Sequence, residues 1–471
     1  MRYLPLVTAA SEDLRRRHQA DLARILPDQV ERVDWPAEQL CAERERRLRA
    51  LLTTAKSKSR WHAERLRSVD PEHVSAEDLS ELPVMTKDDL MAHFDDIVTD
   101  RRVTLTRAEA HLASLAGTDA YLDGEYHVVA SGGSSGRRGV FVWGWDPWTL
   151  GGAVRVRQVI RDQVRCGEPP GAVVTAAVAA EVATHMTGAF ASTFSTALAH
   201  RFPVTLPMEE IVAGLNRVQP VVLNAYASAL ALLVREVDAG RLRIRPRRVI
   251  ATAEPLLPGT REAITAAWKA RIANLWGTSE GATTAMGCFA ADGMHLSHDN
   301  LIIEPVDEDG SPVGPGERST KLYLTNLINP VLPLIRYEVT DEITILSEPC
   351  LCGSSMPRVA DIEGRLDDMF DYGGVRVHPH VFRSPLGREP SVVEYQLRQT
   401  LTGATILMRC TGAPDLDRLR TRIVEGLRRA GVDGRSVDLR IVEHIPRQSS
   451  GKLKRFVPLE LGAASSGPER A

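Results

Sequence analysis

The chain predicts an α/β protein in which a large N-terminal domain, built on parallel strands and carrying a β subdomain, precedes a small α+β C-terminal domain. Three patterns lead there. Apolar β-rich runs at residues 172–178, 221–224 and 248–252 alternate with helical periods at 211–218, 227–239 and 259–269, as in a largely parallel sheet. Between Leu301 and Leu346 come shorter strands with tight turns, notably Asp309-Gly310, as a β subdomain requires. A last package begins near Asp368, with a Gly373-Gly374 turn, strands over 404–409 and 437–442 and a helix over 416–430; it is large enough to be a domain.

Taken in order, residues 12–67 carry helical periodicity under many exposed charges, and Leu48, Leu51 and Leu52 follow the charged run 43–49. Thr86, followed by Asp88, Asp89 and Leu90, reads as a helix start. The expected boundaries are 1–365 for the N-terminal domain, with a helical start over about 12–110, and 366–461 for the C-terminal domain. Residues 462–471 form a low-complexity tail expected to be disordered.

Composition narrows the function. With 471 residues, 43% of them apolar, the chain can bury at least one large core. A net charge of −3 gives no overall field for nucleic acid or anionic membrane. Residues 1–12 lack the basic and apolar regions of a signal peptide, and no segment reaches about 18 uninterrupted apolar residues, so a soluble cytoplasmic protein is expected. Six cysteines make no disulfide framework in so long a chain. Against 51 arginines there are only 7 lysines, two of which, Lys452 and Lys454, fall within three residues.

Six segments carry chemistry. Ser131-Gly132-Gly133-Ser134-Ser135-Gly136, followed by Arg137 and Arg138, offers glycines that let the backbone approach an anion, hydroxyl donors and positive charge. It lacks the Gly-Lys-Ser/Thr ending of a Walker loop. Thr252-Ala253-Glu254-Pro255 and Trp276-Gly277-Thr278-Ser279-Glu280-Gly281 follow strands, where a planar ring and an acid suit a base and a metal ion beside phosphates. Arg336 to Asp341 and Glu363 to Asp368 offer carboxylates for ribose hydroxyls and an arginine, Arg365. Pro446 to Arg455 is a Gly-Ser loop presenting Lys452 and Lys454. Read singly, these segments serve equally well as surface loops, β-turns, ion pairs or a basic tail.

In this order and at these separations the six segments resemble the signature series of the adenylate-forming superfamily, which includes acyl-CoA synthetases, peptide-synthetase adenylation domains and luciferases. More narrowly the chain resembles the phenylacetate-CoA ligase family, whose Leu-Pro-x-Thr-x-Lys-x-x-Leu element is similar to the stretch Leu82 to Leu90; the likeness runs from about Glu45 to Phe456. The resemblance implies that Ser131, Gly132, Gly133, Ser134, Ser135 and Gly136 embrace the ATP phosphates. Ala253, Glu254 and Pro255 would line the adenine pocket, and Trp276 with Gly277 would stand where the family has a tyrosine and glycine. Thr278 would face phosphate, Glu280 would bind Mg²⁺, Asp341 and Arg365 would hold the ribose, Asp367 would be the hinge of a mobile C-terminal domain, and Lys452 would be the catalytic lysine. Gly133, Arg137-Arg138 and Thr252 depart from the family pattern.

His185 stands where superfamily members often carry an aromatic residue or histidine beside the acid pocket, and Tyr226 ends a strand nearby; packing roles serve both equally well. Cys288, His295, Cys350 and Cys352 form a soft set suited to structural Zn²⁺, with His298 and Asp299 as alternatives to His295. Buried thiols without metal are the other reading. The resemblance implies adenylation of an aryl acid by ATP and Mg²⁺ with acyl transfer to coenzyme A. The rival acceptors are an amine, a carrier-protein thiol or another small nucleophile, and a non-catalytic nucleotide-binding relative is a third reading. A homodimer is expected from the family; nucleic acid and membrane partners are not expected.

Overall fold

The computed structural model describes residues 9–76, 78–115, 121–131, 139–168, 173–179, 184–194, 196–204, 206–360, 362, 370–373, 375–377, 380–387, 389, 391–410, 412–432, 436–447 and 453–459. The chain divides into two compact units, Met1–Leu256 with Arg261–Glu363, and Gly364–Ala471 with Leu257–Thr260.

The first unit opens with helices α1 (Ala9–Glu31), α2 (Ala37–Lys58), α3 (Arg60–Arg65), α4 (Lys87–Ala92), α5 (Phe94–Ile97) and α6 (Leu105–Ser114). In α2 the buried residues Leu48, Leu51, Leu52 and Ala55 recur at helical spacing and pack with Leu79, Leu82, Ile302 and Ile335. Thr86 caps α4 in a reciprocal capping box, its hydroxyl accepting from Asp89 N while the Asp89 carboxylate accepts from Thr86 N. The residue before that cap, Met85, donates its N–H to Arg336 O at 2.9 Å, and its carbonyl accepts from Glu338 N at 2.8 Å.

Next, β1 (His127–Ala130) and β2 (Val140–Trp143) form an antiparallel hairpin, so the Gly-Ser loop joins two strands. Then come α7 (Trp145–Arg165), β3 (Thr175–Ala179), α8 (Met186–Thr193), β4 (Ala199–Pro203), α9 (Met208–Val218), β5 (Val222–Tyr226), α10 (Ala227–Asp238), β6 (Arg248–Thr252), α11 (Pro258–Trp268), β7 (Arg271–Thr278), β8 (Ala282–Gly287), β9 (Met294–Leu296), β10 (Leu301–Val306), β11 (Lys321–Asn326), β12 (Tyr337–Val339), β13 (Ile345–Leu346) and β14 (Arg358–Val359). Nine strands make one sheet in the order β13-β14-β9-β8-β7-β6-β5-β3-β4. The pairs from β4 through β7 are parallel, whereas β7-β8, β8-β9, β9-β14 and β14-β13 are antiparallel. Antiparallel β10-β11-β12 form a separate sheet.

Alternation along the parallel strands sorts two cores. Leu223, Ala225, Val249 and Ala251 pack under Ile211, Leu215, Leu230 and Leu233 of α9 and α10, while Val222, Ile250, Ala273, Leu275 and Met286 face the other way and meet Val159 of α7. Helix α7 is tied to that face by Asp162, which accepts from Arg248 Nε at 2.7 Å and Arg271 Nη2 at 2.6 Å. Both arginines open their strands, so the far end of the sheet, where β6 and β7 finish, is left for a site.

In the second unit β15 (Phe370–Tyr372) pairs with β16 (Val375–Val377), α12 (His380–Gly387) follows, and the order β19-β18-β17-β20 makes a sheet from β17 (Val392–Thr400), β18 (Gly403–Cys410), β19 (Ser436–Ile441) and β20 (Phe456–Val457). Helix α13 (Leu416–Arg429) buries Leu419, Ile423 and Leu427 among Leu397, Ile406 and Leu439. Among the described residues no helix is long and apolar enough to cross a membrane.

Candidate active site and cysteine-histidine cluster

Parallel α/β sheets bind ligands beyond the carboxyl ends of their strands, and four segments of the first unit meet at that end. After β6, Ala253 adopts a left-handed backbone with φ 62°, a conformation that disfavours a Cβ. It leaves Ala253 exposed and turns Glu254 inward, where Oε2 accepts from Ser228 N at 2.8 Å, in the first turn of α10. A carboxylate is favoured at a helix N-terminus.

One strand over, β7 ends in Trp276-Gly277-Thr278. Trp276 is buried and its indole Nε1 donates to Asp341 Oδ2 at 2.7 Å. The β7-β8 pairing slips between Trp276 and Gly277; a Cβ at position 277 would stand 2.9 Å from Ala282 O, so a glycine is needed at this close approach. Thr278 Oγ1 accepts from Gly281 N at 2.9 Å, shaping the turn that carries Glu280. That turn is held from two further sides: Asn326 Nδ2 donates to Glu280 O at 2.7 Å and Trp143 Nε1 to Ser279 O at 3.3 Å.

The β1-β2 loop enters from the same side. Ser131 N donates to Gly139 O at 2.9 Å and Ser131 Oγ accepts from Gly139 N at 2.8 Å, closing the loop at its base. Ala130 N donates to Thr184 O at 2.8 Å, which brings His185, the N-cap of α8, beside the hairpin. Gly132, Gly133, Ser134, Ser135, Gly136, Arg365, Asp367 and Lys452 lie outside the described residues. Of the expected residues the structure therefore gathers Ser131, Ala253, Glu254, Pro255, Trp276, Gly277, Thr278, Glu280 and Asp341 at one end of the sheet. Tyr226, fully buried, closes β5 in register with Thr252. Trp143, Ser228 and Asn326 were not legible in the sequence, since each acts on a main-chain atom or a cap that no side-chain spacing reports.

Cys288, His295, Cys350 and Cys352 lie elsewhere in the unit, all buried, with their ligand atoms within 4.8 Å of one another. Cys288 follows directly on β8 and His295 sits in β9, while the other two cysteines come from the loop before β14. Cys350 Sγ is 3.5 Å from Cys288 Sγ, and Cys352 Sγ is 3.3 Å from His295 Nε2. His295 Nδ1 donates to Met356 O at 2.9 Å, which turns Nε2 toward the thiols. Hydrogen bonding from Cys288, with His295 and Arg161 adding to it, holds the Cys352 thiol far below the ordinary range, and the same bond to Cys352 pushes Cys288 up. The alternatives to His295 are spoken for: Asp299 accepts from Arg157 Nη1 and Nη2, both at 2.8 Å, and His298 Nε2 is 2.8 Å from Arg44 Nη1.

No family model matches the chain. Over 178 residues it is 30% identical to the phenylacetate-coenzyme A ligase of Thermus thermophilus, covering 37% of this chain and 40% of that one. Over 187 residues it is 28% identical to the phenylacetate-coenzyme A ligase of Aromatoleum evansii, covering 38% and 41%. The chain thus spans about two fifths of the length of these curated relatives. In structure it is similar to a 2-hydroxyisobutyryl-CoA ligase in complex with the acyl-adenylate of that acid, with a TM-score of 0.70, 21% identity and 91% of each chain covered. An anthranilate CoA ligase in complex with anthranoyl-AMP matches at a TM-score of 0.50 and 15% identity, over 70% of this chain and 65% of that one.

Proposed function

We propose that this chain is an adenylate-forming enzyme that joins an aryl carboxylic acid to AMP and passes the acyl group to coenzyme A. The observation that carries the reading is the meeting of Glu254, Trp276, Thr278, Glu280 and Asp341 beyond the carboxyl ends of β6 and β7, beside the base of the Gly-Ser loop. Relatives and structural neighbours named as CoA ligases support it.

In the proposed reaction a carboxylate oxygen of the acid attacks the α-phosphorus of ATP, the bond to the β-phosphate oxygen breaks, and pyrophosphate leaves. The thiol sulfur then attacks the acyl carbonyl of the mixed anhydride, its proton goes to solvent, and AMP leaves. Two anions meet in the first step, so orientation and positive charge control its rate. The Trp276 ring would stack the adenine. Asp341, fixed by the indole N–H, would accept from the ribose hydroxyls, and Ser131 and its loop would donate to the phosphates. Glu280 is the proposed holder of Mg²⁺, which when bound neutralises phosphate charge. Lys452 is proposed, from the sequence resemblance, as the cation that steadies the reacting carboxylate and phosphate.

Cys288, His295, Cys350 and Cys352 are proposed to hold a structural Zn²⁺. Bonds of about 2.3 Å to sulfur and about 2.0 Å to nitrogen in a tetrahedron would separate sulfurs by about 3.8 Å and sulfur from nitrogen by about 3.5 Å. One S–S and one S–N separation, 3.5 and 3.3 Å, lie just inside those values, and all four ligand atoms lie within 4.8 Å of one another. When bound, the metal would staple the loop before β14 to β8 and β9.

Product analysis tests the acceptor. Incubation with ATP, Mg²⁺, a panel of aryl acids and CoA is expected to give AMP, pyrophosphate and an acyl-CoA. AMP formation that ignores CoA but responds to an added amine would assign the acyl group to another nucleophile.

A further inference from the structure

We infer that Arg155 and Asn224 form a polar subsite for the acyl part of the substrate, so that the acid carries a second oxygen group, carboxylate or hydroxyl, remote from the carboxylate being activated. The inference rests on the adenylation reading above and names the substrate class.

Helix α7 presents one stripe to the sheet, Trp148, Gly151, Arg155, Val159 and Asp162, at helical spacing. Both ends of the stripe are fixed. A Cβ on Gly151 would stand 2.9 Å from Phe190 of α8 and 3.4 Å from Ala282, the residue that opens β8 after the Glu280 turn. Asp162 holds Arg248 and Arg271 at the opposite end of the strands. Arg155 therefore faces the sheet about 6 Å along the helix from the level of Ala282. Its Cα–Cβ bond tilts toward the helix N-terminus, which is the end where the candidate active site lies.

A core stripe calls for an apolar residue there, and the arginine has nothing to answer it. Among the described residues Arg155 has no hydrogen-bond or ion-pair partner, and desolvation alone pulls its guanidinium down to about 10. Its neighbours on the same helix differ: Arg157 is bidentate to Asp299 and Arg161 is bonded to Asp34.

The opposite wall carries a matching vacancy in polar pairing. Asn224 of β5 sits in register between Ala177 and Ile250, on the face that α7 covers. Its Oδ1 is buried without a hydrogen-bond partner. This face is open along β3: Ala177 and Ala179 are half-buried, whereas Ala176 and Val178, on the reverse, are sealed. Arg155 and Asn224 are half-buried too, so part of each side chain stays open, and turning the Asn224 amide would bring its covered Oδ1 toward that opening. An oxygen on the acid would accept from the guanidinium. A hydroxyl would also donate to Asn224 Oδ1, and a carboxylate would instead take the rotated amide N–H.

The test uses matched acids in acid-dependent ATP–pyrophosphate exchange: a parent aryl acid, its ring-hydroxylated form and its ring-carboxylated form, with the full-length protein, Arg155→Met and Asn224→Leu. Wild type is expected to favour an oxygen-bearing acid over its parent by tenfold or more in kcat/KM. R155M is expected to lose that preference while handling the parent within a few-fold of wild type, and its Tm is expected to equal or exceed wild type because an uncompensated charge has gone. A stronger effect of N224L on the hydroxylated acid than on the carboxylated one would assign the second group as a hydroxyl, and the reverse as a carboxylate. The inference is overturned if wild type prefers parent acids, if R155M slows all acids alike, or if R155M lowers the Tm by several degrees, which would mean that the guanidinium serves the chain's own groups. Exchange with none of the acids would overturn the adenylation reading itself, whereas exchange blind to the second oxygen overturns only the subsite.

Discussion

The indole Nε1 of Trp276 donates a 2.7 Å hydrogen bond to Asp341 Oδ2, joining the end of β7 to a residue 65 positions later. One side chain can thereby supply a flat face for a base and fix the carboxylate proposed to hold the ribose. A phenylalanine keeps the face and removes the donor. Trp276→Phe is expected to raise the KM for ATP about tenfold, the scale of one hydrogen bond to a charged group, with the KM for the acid unchanged. Steady-state kinetics with each substrate varied in turn would check this, and an equal rise in both KM values would contradict it.

The cysteine-histidine cluster predicts one zinc per chain, measured by elemental analysis of the purified protein. Cys352→Ser is expected to lose the metal and lower the Tm by several degrees, because the loop before β14 would lose its tie to β8 and β9. Retention of full Tm with no metal in either protein would leave the thiols as simple core residues.

Arg157 and Asp299 form a bidentate pair that is almost wholly buried, at 2% and 0% side-chain exposure. Removing one partner strands the other charge, so Asp299→Asn is expected to cost about 3 kcal/mol in urea unfolding. The double variant Arg157→Leu with Asp299→Asn is expected to recover part of that loss. Additive losses would contradict the pairing.

Four histidines lowered by burial, His18, His62, His127 and His298, set a pH dependence, and His18 and His62 show its origin. Burial lowers His18 to about 4, while Nε2–H donates to Trp145 O at 3.3 Å. Burial, with Arg65 beside it, lowers His62 to about 3, and its Nε2–H donates to Pro333 O at 3.0 Å. Both are neutral in the folded chain, whereas an unfolded histidine takes a proton near pH 6.5. Below that pH the unfolded state binds more protons, so their contribution is fully present above about 6.5 and is lost progressively as pH falls toward 4. Tm is expected to be flat above pH 7 and to fall between pH 6.5 and 5, with a shallower fall for His62→Gln. A Tm constant over that range would contradict the assignment.

Much of the fold was written in local pattern. The strand over 248–252 coincides with β6, and the helices over 211–218 and 227–239 correspond to α9 and α10 within a few residues. These elements bury a whole face, so hydrophobic period reports them directly. The return strand β2 and the antiparallel half of the nine-stranded sheet were not legible, because strand direction depends on pairing partners far along the chain. Cys288, His295, Cys350 and Cys352 could be singled out by residue type, but their meeting needed the turn from β8 to β9. The Trp276–Asp341 bond and the lone guanidinium of Arg155 left no trace in spacing, since both depend on which face of a buried element meets which neighbour.

Acid-dependent exchange of labelled pyrophosphate into ATP, run with wild type and Lys452→Ala under a panel of aryl acids, weighs most. Exchange that requires the acid, and that falls on the order of 10²-fold in the variant at unchanged Tm, is the expected result. No acid-dependent exchange in wild type, or equal exchange in both proteins, would contradict adenylation by this chain.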